Sequence, residues 1–202
     1  MHSPIDLSNA AASGNPFPHF HVPCAIAAPF GKQLLEWFEC AAPWGLKIAS
    51  FYEQYEFSLL DTALPTELAP LCDANTLSYM RHEIGGLLQT RLGDPVDVTA
   101  HQLVPGQRIR IHNDYIPGRE THRLLVQLNR DWSEDCGGML LLFQRPEPNG
   151  VSRMIRPSNC SALGFSISPE SHHAVSTVHK GQRFTLVYSF YELGNQSGRA
   201  TE

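Results

Sequence analysis

The chain has 202 residues, 42% of them hydrophobic and 17% charged, with a formal net charge of -5. That is enough chain for one domain with a real core, and the balance excludes a disordered polymer. The acidic surplus argues against a nucleic-acid partner, which calls for a basic face. The sequence contains no apolar run of the roughly 18–20 residues that a membrane span requires, so no membrane partner is expected. The start, Met1 to Pro18, is polar, without a basic or apolar leader segment, and points to a cytoplasmic protein. Five scattered cysteines without a CxxC pair argue against a disulfide framework or a structural zinc site.

In chain order, residues 1 to 15 read as a flexible leader, and Phe17 to Cys24 alternate like a lone strand. A helix is expected from Gly31, with Leu34, Leu35 and Phe38 on its apolar face and Pro43 breaking the run before Trp44. Residues 51 to 60 are aromatic-rich and ambiguous between helix and strand. The clearest helix runs from Asn75 to Leu92, capped by Asp73 or Asn75, with Leu77, Met80, Ile84, Leu87 and Leu88 on one face. From Val96 the pattern changes to short strands, expected at 96–104, 108–112, 122–129, 139–143, 151–155, 162–166, 173–178 and 183–191. Turn residues such as Pro105-Gly106, Pro117-Gly118 and Gly137-Gly138 separate them.

Eight short strands at near-even spacing predict a mainly β protein, a cupin-like jelly roll with helices packed on one sheet. The chain is expected to be one domain: residues 1–95 as a mostly helical support region, and residues 96–192 as the jelly-roll core.

Two places along these strands carry chemistry. In a strand, residues two apart share a face, so His112 and Asp114 present an imidazole and a carboxylate toward one point. Fifty-nine residues after Asp114 comes His173, preceded by His172. One of these histidines with His112 and Asp114 makes a two-histidine, one-carboxylate set, which covers one face of an octahedral iron(II) and leaves three positions open. Arg183 opens the last strand, and a buried guanidinium there is costly unless it binds a carboxylate. His101 reads as a structural histidine among small strand residues.

The order of His112-x-Asp114, Leu128-Asn129 with Asp131-Trp132, Gly137-Gly138, His173-x-Val175 and Gly181-x-Arg183 resembles the iron(II)/2-oxoglutarate-dependent dioxygenases, nearest their prolyl-hydroxylase-like branch. The resemblance covers about Val96 to Tyr191. It implies a double-stranded β-helix, a distorted jelly roll, with the metal at one open end. It implies Fe(2+), 2-oxoglutarate as co-substrate and O2, and an enzyme that hydroxylates its substrate with release of succinate and CO2. By the same resemblance His112, Asp114 and His173 are the metal ligands, and Arg183 holds the far carboxylate of 2-oxoglutarate. Gln127 stands where many members have a tyrosine lining the co-substrate pocket. Leu125 and Thr185 share faces with Gln127 and Arg183 and are expected to line that pocket. The carboxylate at Asp114 separates the chain from halogenating members, which have a small residue there.

For the substrate, Arg110 shares the face of His112 in a regular strand, Arg123 lies on a nearby strand, and Tyr115 opens the loop after the ligands. An inward guanidinium needs an anion, so a carboxylate-bearing small molecule, amino acid or peptide is expected, anchored by Arg110 or Arg123. The competing expectation is that these arginines leave the barrel mouth for solvent or pair with Glu120 or Asp131. Two other classes compete for the whole site: a cupin-type isomerase or dioxygenase without 2-oxoglutarate, and a non-enzymatic jelly-roll ligand binder. The first has no use for a buried Arg183; in the second the histidines would be incidental and iron would not bind tightly.

Overall fold

The computed structural model describes residues 3–194. In chain order the elements are β1 (Ala11–Ser13), β2 (His19–Val22), α1 (Ala28–Cys40), β3 (Gly45–Ile48), β4 (Glu53–Ser58), α2 (Ala74–Leu88), β5 (Leu92–Leu103), β6 (Ile109–His112), β7 (His122–Gln127), β8 (Leu140–Phe143), β9 (Val151–Ile155), β10 (Ala162–Ser166), β11 (His173–Val175) and β12 (Arg183–Glu192). They form an eight-stranded sheet in the order β1-β2-β10-β7-β12-β5-β4-β3 and a four-stranded sheet in the order β6-β11-β8-β9. From β5 onward the strands divide evenly between the two sheets, which makes the expected double-stranded β-helix.

Strand β12 shows why the large sheet has two unlike faces. Its even positions, Phe184, Leu186, Tyr188 and Phe190, are buried in one core cluster with Leu34, Leu35 and Phe38 of α1 and Met80 and Ile84 of α2. Its odd positions, Arg183, Thr185, Val187 and Ser189, line a cavity between the two sheets. The period of two sends alternate side chains to opposite sides. Each large apolar side chain on the helical face contributes about 1.5–3 kcal/mol by leaving water, so that face anchors the fold and leaves the inner face free for polar groups. Aromatic contacts tighten the seam: Trp44 stacks on Phe184 at 5.6 Å between centroids, and Phe38 lies 5.7 Å from the same ring.

Helix α2 starts where its cap predicts. The Asp73 carboxylate accepts from the Thr76 N–H at 2.6 Å, satisfying one of the open donors of the first turn. The helix ends at Leu88, four residues short of expectation, because Gln89 takes a left-handed conformation (φ 55) and Leu92 already begins β5.

The N-terminal region departs furthest from the sequence reading. It is not mostly helical: β1 to β4 accompany the two helices, and β3 and β4 extend the large sheet. The expected flexible leader is ordered core from Ile5 onward. Ile5 and Leu7 are each 1% exposed, and Ile5 bridges Ile26. Strand β2 is not alone, since it pairs with β1 and with β10. Its partner lies some 140 residues away in the chain, so no local pattern announces the pairing. Gly164 of β10 is part of the join: a Cβ there would sit 2.1 Å from the Phe20 ring, so the aromatic occupies space that only glycine leaves.

One buried side chain ties the end of β7 to the start of β12. Asn129 Oδ1 accepts from the Phe184 N–H at 2.7 Å, and Asn129 Nδ2 donates to the Phe184 and Pro157 carbonyls at 3.1 Å each. Asn129→Ala leaves the Phe184 N–H and the Pro157 carbonyl without these partners, while the Phe184 carbonyl keeps the Leu128 N–H, and is expected to cost about 2–4 kcal/mol. Urea denaturation measures this directly, and an unchanged midpoint would contradict the clamp.

Candidate active site

The cavity between the sheets has a volume of about 450 Å³. His112, Asp114 and His173 converge at it, with their ligand atoms all within 4.8 Å of one another. His173 and His112 are direct Cα partners across β11 and β6, which places one imidazole opposite the other. Their ring centroids are 4.2 Å apart. Asp114 is not in the strand, as the H-x-D spacing had suggested. It lies beyond the end of β6 with φ 58. Asn113 holds that turn, accepting from the Tyr115 N–H at 3.1 Å and donating to the Pro169 carbonyl at 3.0 Å. The strained residue and its neighbours bring the carboxylate back over the histidines.

Backbone carbonyls fix the histidine tautomers. His112 Nδ1 lies 2.8 Å from the Arg110 carbonyl, and His173 Nδ1 lies 2.8 Å from the Ser171 carbonyl. A carbonyl only accepts, so each Nδ1 donates to it and Nε2 is the ring atom turned toward Asp114. Those Nε2 atoms sit 3.3 and 3.1 Å from the Asp114 carboxylate oxygens. Burial, with His112 beside it, keeps His173 below the usual imidazole range. Burial alone would raise the Asp114 carboxyl, but the Arg123 guanidinium and the two imidazoles hold it well below the usual carboxylate range. Two imidazole Nε2 atoms and a carboxylate thus converge on one point, a nitrogen–oxygen set that fits a divalent cation such as iron(II). His172 is outside this set, as expected from its place on the opposite face.

Arg183 is 4% exposed and has no carboxylate partner among the described residues. Its Nε donates to the Gly138 carbonyl at 2.8 Å, and its Nη1 donates to Thr185 Oγ1 at 2.7 Å. Burial brings its pKa down to about 10. Gly138 has φ 61, and a Cβ there would lie 2.9 Å from Arg183 Cδ, so glycine lets the backbone carbonyl reach the guanidinium. Thr185 Oγ1 in turn donates to Gln127 Oε1 at 3.1 Å. Leu125 and Thr185 line the cavity as expected, whereas Gln127 does not and instead backs Thr185.

The three residues assigned to the substrate fare differently. Arg110 turns away from the cavity and donates to the Ser50 carbonyl at 2.6 Å. The reason is a bulge: His173 pairs with His112 while Val175 pairs with Ile109, so two residues of β11 span three of β6. The extra residue breaks the alternation, putting Ile109 and His112 inward and Arg110 out. Tyr115 is 45% exposed and lies off the cavity. Arg123 does line the cavity, but its guanidinium is held by Asp114 at 2.5 Å and by Glu120. The pairing with Glu120 is therefore the expectation met, and neither arginine offers a free cation for a substrate carboxylate.

Several lining residues escaped the sequence reading. Phe51 stacks on the His112 ring at 4.6 Å. Gln54 and Glu56 of β4 face the cavity, and their odd-numbered neighbour Phe57 packs on Trp37 and Trp44. That alternation of polar and aromatic residues was the available signal. His101 is not merely structural: it lies between Glu56 and Thr185 across the sheet and lines the cavity. Burial pushes it down to about 4, so it is neutral near neutral pH.

Comparison with known proteins agrees with this geometry. The family described as the 2OG-Fe(II) oxygenase superfamily matches residues 98–190. No curated protein matches the chain. A prolyl-4-hydroxylase from Pseudomonas putida is similar in structure, with TM-score 0.70 and 20% identity over 94% of this chain and 96% of that one. A prolyl hydroxylase from Trichoplax adhaerens, in complex with a hypoxia-inducible-factor peptide, gives TM-score 0.75 and 14% identity over 91% and 87%. The viral collagen prolyl hydroxylase of Paramecium Bursaria Chlorella virus-1 gives TM-score 0.61 and 13% identity over 85% and 94%. At these identities the three share the fold.

An unpaired buried guanidinium destabilises the ligand-free protein. Arg183→Met, which keeps the volume and removes the charge, is expected to raise its stability by about 1 kcal/mol or more. A lower thermal midpoint for that variant would show that Arg183 holds the fold together through its two hydrogen bonds.

Proposed function

We infer that this chain, whose residues 98–190 match the 2OG-Fe(II) oxygenase superfamily, is such an oxygenase, that His112, Asp114 and His173 hold its iron(II) and that Arg183 binds the far carboxylate of its 2-oxoglutarate. One observation carries the reading: a histidine–aspartate–histidine cluster and a buried guanidinium without an anion line the same cavity. Iron(II) with 2-oxoglutarate and O2 supplies the oxidation, placing one oxygen atom in a substrate C–H bond and the other in succinate as CO2 leaves. The protein's residues bind and orient. The Arg110 and Ser171 carbonyls keep each imidazole turned with Nε2 toward the metal. The Gly138 carbonyl and Thr185 hydroxyl fix the guanidinium, leaving its other N–H groups for a bidentate carboxylate. Leu103, Leu125, Val175 and Val187 supply an apolar wall that excludes water and strengthens those charges. A metal isomerase without 2-oxoglutarate gives Arg183 nothing to do.

The substrate is an amino acid or a peptidyl residue, and the reaction is hydroxylation. The peptide named with the Trichoplax relative supports this, as does a cavity bounded on one side by a sheet edge. The expected substrate carboxylate loses its motive, since Arg110 faces away and Arg123 is already paired.

Mixing the protein anaerobically with iron(II) and 2-oxoglutarate is expected to give the weak visible charge-transfer band of the chelate. His112→Ala and His173→Ala should abolish it, and His172→Ala should retain it; a silent His172→Ala alone would move the ligand to the wrong histidine. In Arg183→Ala the unpaired carboxylate costs about 3–5 kcal/mol, so apparent affinity for 2-oxoglutarate falls on the order of 100-fold or more. Titration of the band measures that constant, and an unchanged value would remove Arg183 from the site.

A further inference from the structure

We propose that Gln54 and Glu56 of β4 bind a cationic group of the primary substrate, an ammonium or guanidinium of the lysine or arginine type. This rests on the oxygenase reading above and names the substrate class of the same cavity.

Gln54 is 2% exposed, lines the cavity, and its Oε1 has no hydrogen-bond partner. The amide orientation is set by its neighbour, because Gln54 Nε2 donates to Glu56 Oε2 at 2.8 Å and a carboxylate only accepts. The orphan atom is therefore a carbonyl oxygen, and it calls for a donor. A buried acceptor left unmade costs about 1–3 kcal/mol, which a donor-rich substrate group removes. Glu56 lies two residues on, on the same strand face, and adds the negative charge.

The charge of the cavity points the same way. Four carboxylates line it, Glu56, Asp97, Asp114 and Glu120, against the guanidiniums of Arg123 and Arg183. Iron(II) adds two positive charges and dianionic 2-oxoglutarate cancels them, so the loaded cavity keeps two negative charges in excess. Asp114 and Glu120 are taken by Arg123, which leaves the excess toward Glu56 and Asp97. Besides Gln54 Nε2, Glu56 has one salt bridge among the described residues, to Lys47, whose Nζ lies 3.5 Å away on a side chain 57% exposed. Such pairs contribute about 0–1 kcal/mol, so a better-buried cation displaces Lys47 readily. Among the described residues the other buried side-chain polar atom without a partner, Arg123 Nε, is a donor. Its charge is already matched by two carboxylates, so it suits a neutral acceptor such as a backbone carbonyl of the substrate.

The test uses protein loaded with iron(II) and 2-oxoglutarate under argon, titrated with capped tripeptides Gly-Lys-Gly, Gly-Arg-Gly, Gly-Pro-Gly and Gly-Glu-Gly and with free lysine and arginine. Binding is followed by calorimetry and by the shift of the chelate band. At least one basic probe is expected to bind about tenfold or more tightly than the prolyl and glutamyl probes. Capped peptide against free amino acid separates a peptidyl from a free substrate. The isosteric Glu56→Gln and the acceptor-free Gln54→Met should each erase most of that preference, and Lys47→Ala should raise affinity for the basic probes. Equal binding of all probes, tighter binding of the prolyl or glutamyl probe, or no binding of any of them overturns the proposal. So does a Glu56→Gln protein that keeps the preference. The chelate band, read in the same samples before any probe is added, reports on the oxygenase reading: a missing band sinks that reading, and a normal band without the preference sinks only this one.

Discussion

A guanidinium buried at Arg183 without a carboxylate is the constraint on which the inner half of the fold depends. Desolvation of an unpaired charge is among the largest penalties a small domain carries, so the surrounding structure is shaped to hold it. Gly138 gives up its side chain to bring a carbonyl within 2.8 Å. Thr185 accepts a hydrogen bond from a second N–H and donates its own O–H to Gln127 Oε1. Asn129 pins the backbone of the very next residue, Phe184. These groups lie on β7, β8's lead-in and β12, and none makes sense as packing alone. The apolar face of the same strands meets the helices and carries the stability that this arrangement uses up.

The second charge cluster shows a different solution. Arg123 sits in the same cavity, but it is answered within the protein by Asp114 and Glu120. Its effect falls on Asp114, whose carboxyl stays ionised against the pull of burial. An ionised carboxylate facing two imidazole Nε2 atoms makes a nitrogen–oxygen set that a divalent cation fits. Arg183 waits for an anion from outside, and Arg123 makes sure that Asp114 waits for a cation. Opposite needs are kept apart in one cavity by which guanidinium has an internal partner.

The jelly-roll strands were legible because each carries a local signal: alternation bounded by turn residues. Expected strands at 151–155 and 162–166 coincide with β9 and β10, His112, Asp114 and His173 lie together, and Arg183 opens β12. What escaped depends on distant partners. Ile5 and Leu7 are single apolar residues in a polar stretch, and only their contacts across the sheet bury them. Arg110 obeyed the alternation rule on paper, and one extra residue in β6 turned it outward. A bulge is invisible in a single strand because it is a relation between two. Arg123 could be placed in the cavity from its strand, but whether its charge was free depended on Glu120 and Asp114 folding back onto it.

The region before β5 was read as support, and its role in the fold is larger. Strands β3 and β4 lengthen the major sheet past the jelly roll, and β4 with its lead-in supplies Phe51, Tyr52, Gln54 and Glu56 to the cavity wall. The metal cluster and Arg183 lie on β6, β11, β12 and the turn after β6; β11 and β12 are paired on both sides, and β6, an edge strand, is paired with β11. Strand β4 is bound to the barrel on one side only, through β5, and β3 beyond it is the sheet edge. A change of side chain on the inner face of β4 alters what the cavity accepts without moving a ligand or the guanidinium. Chemistry and selectivity are thereby placed on elements with different structural constraints: the closed barrel holds the reacting groups, and the appended hairpin presents the residues that meet the substrate.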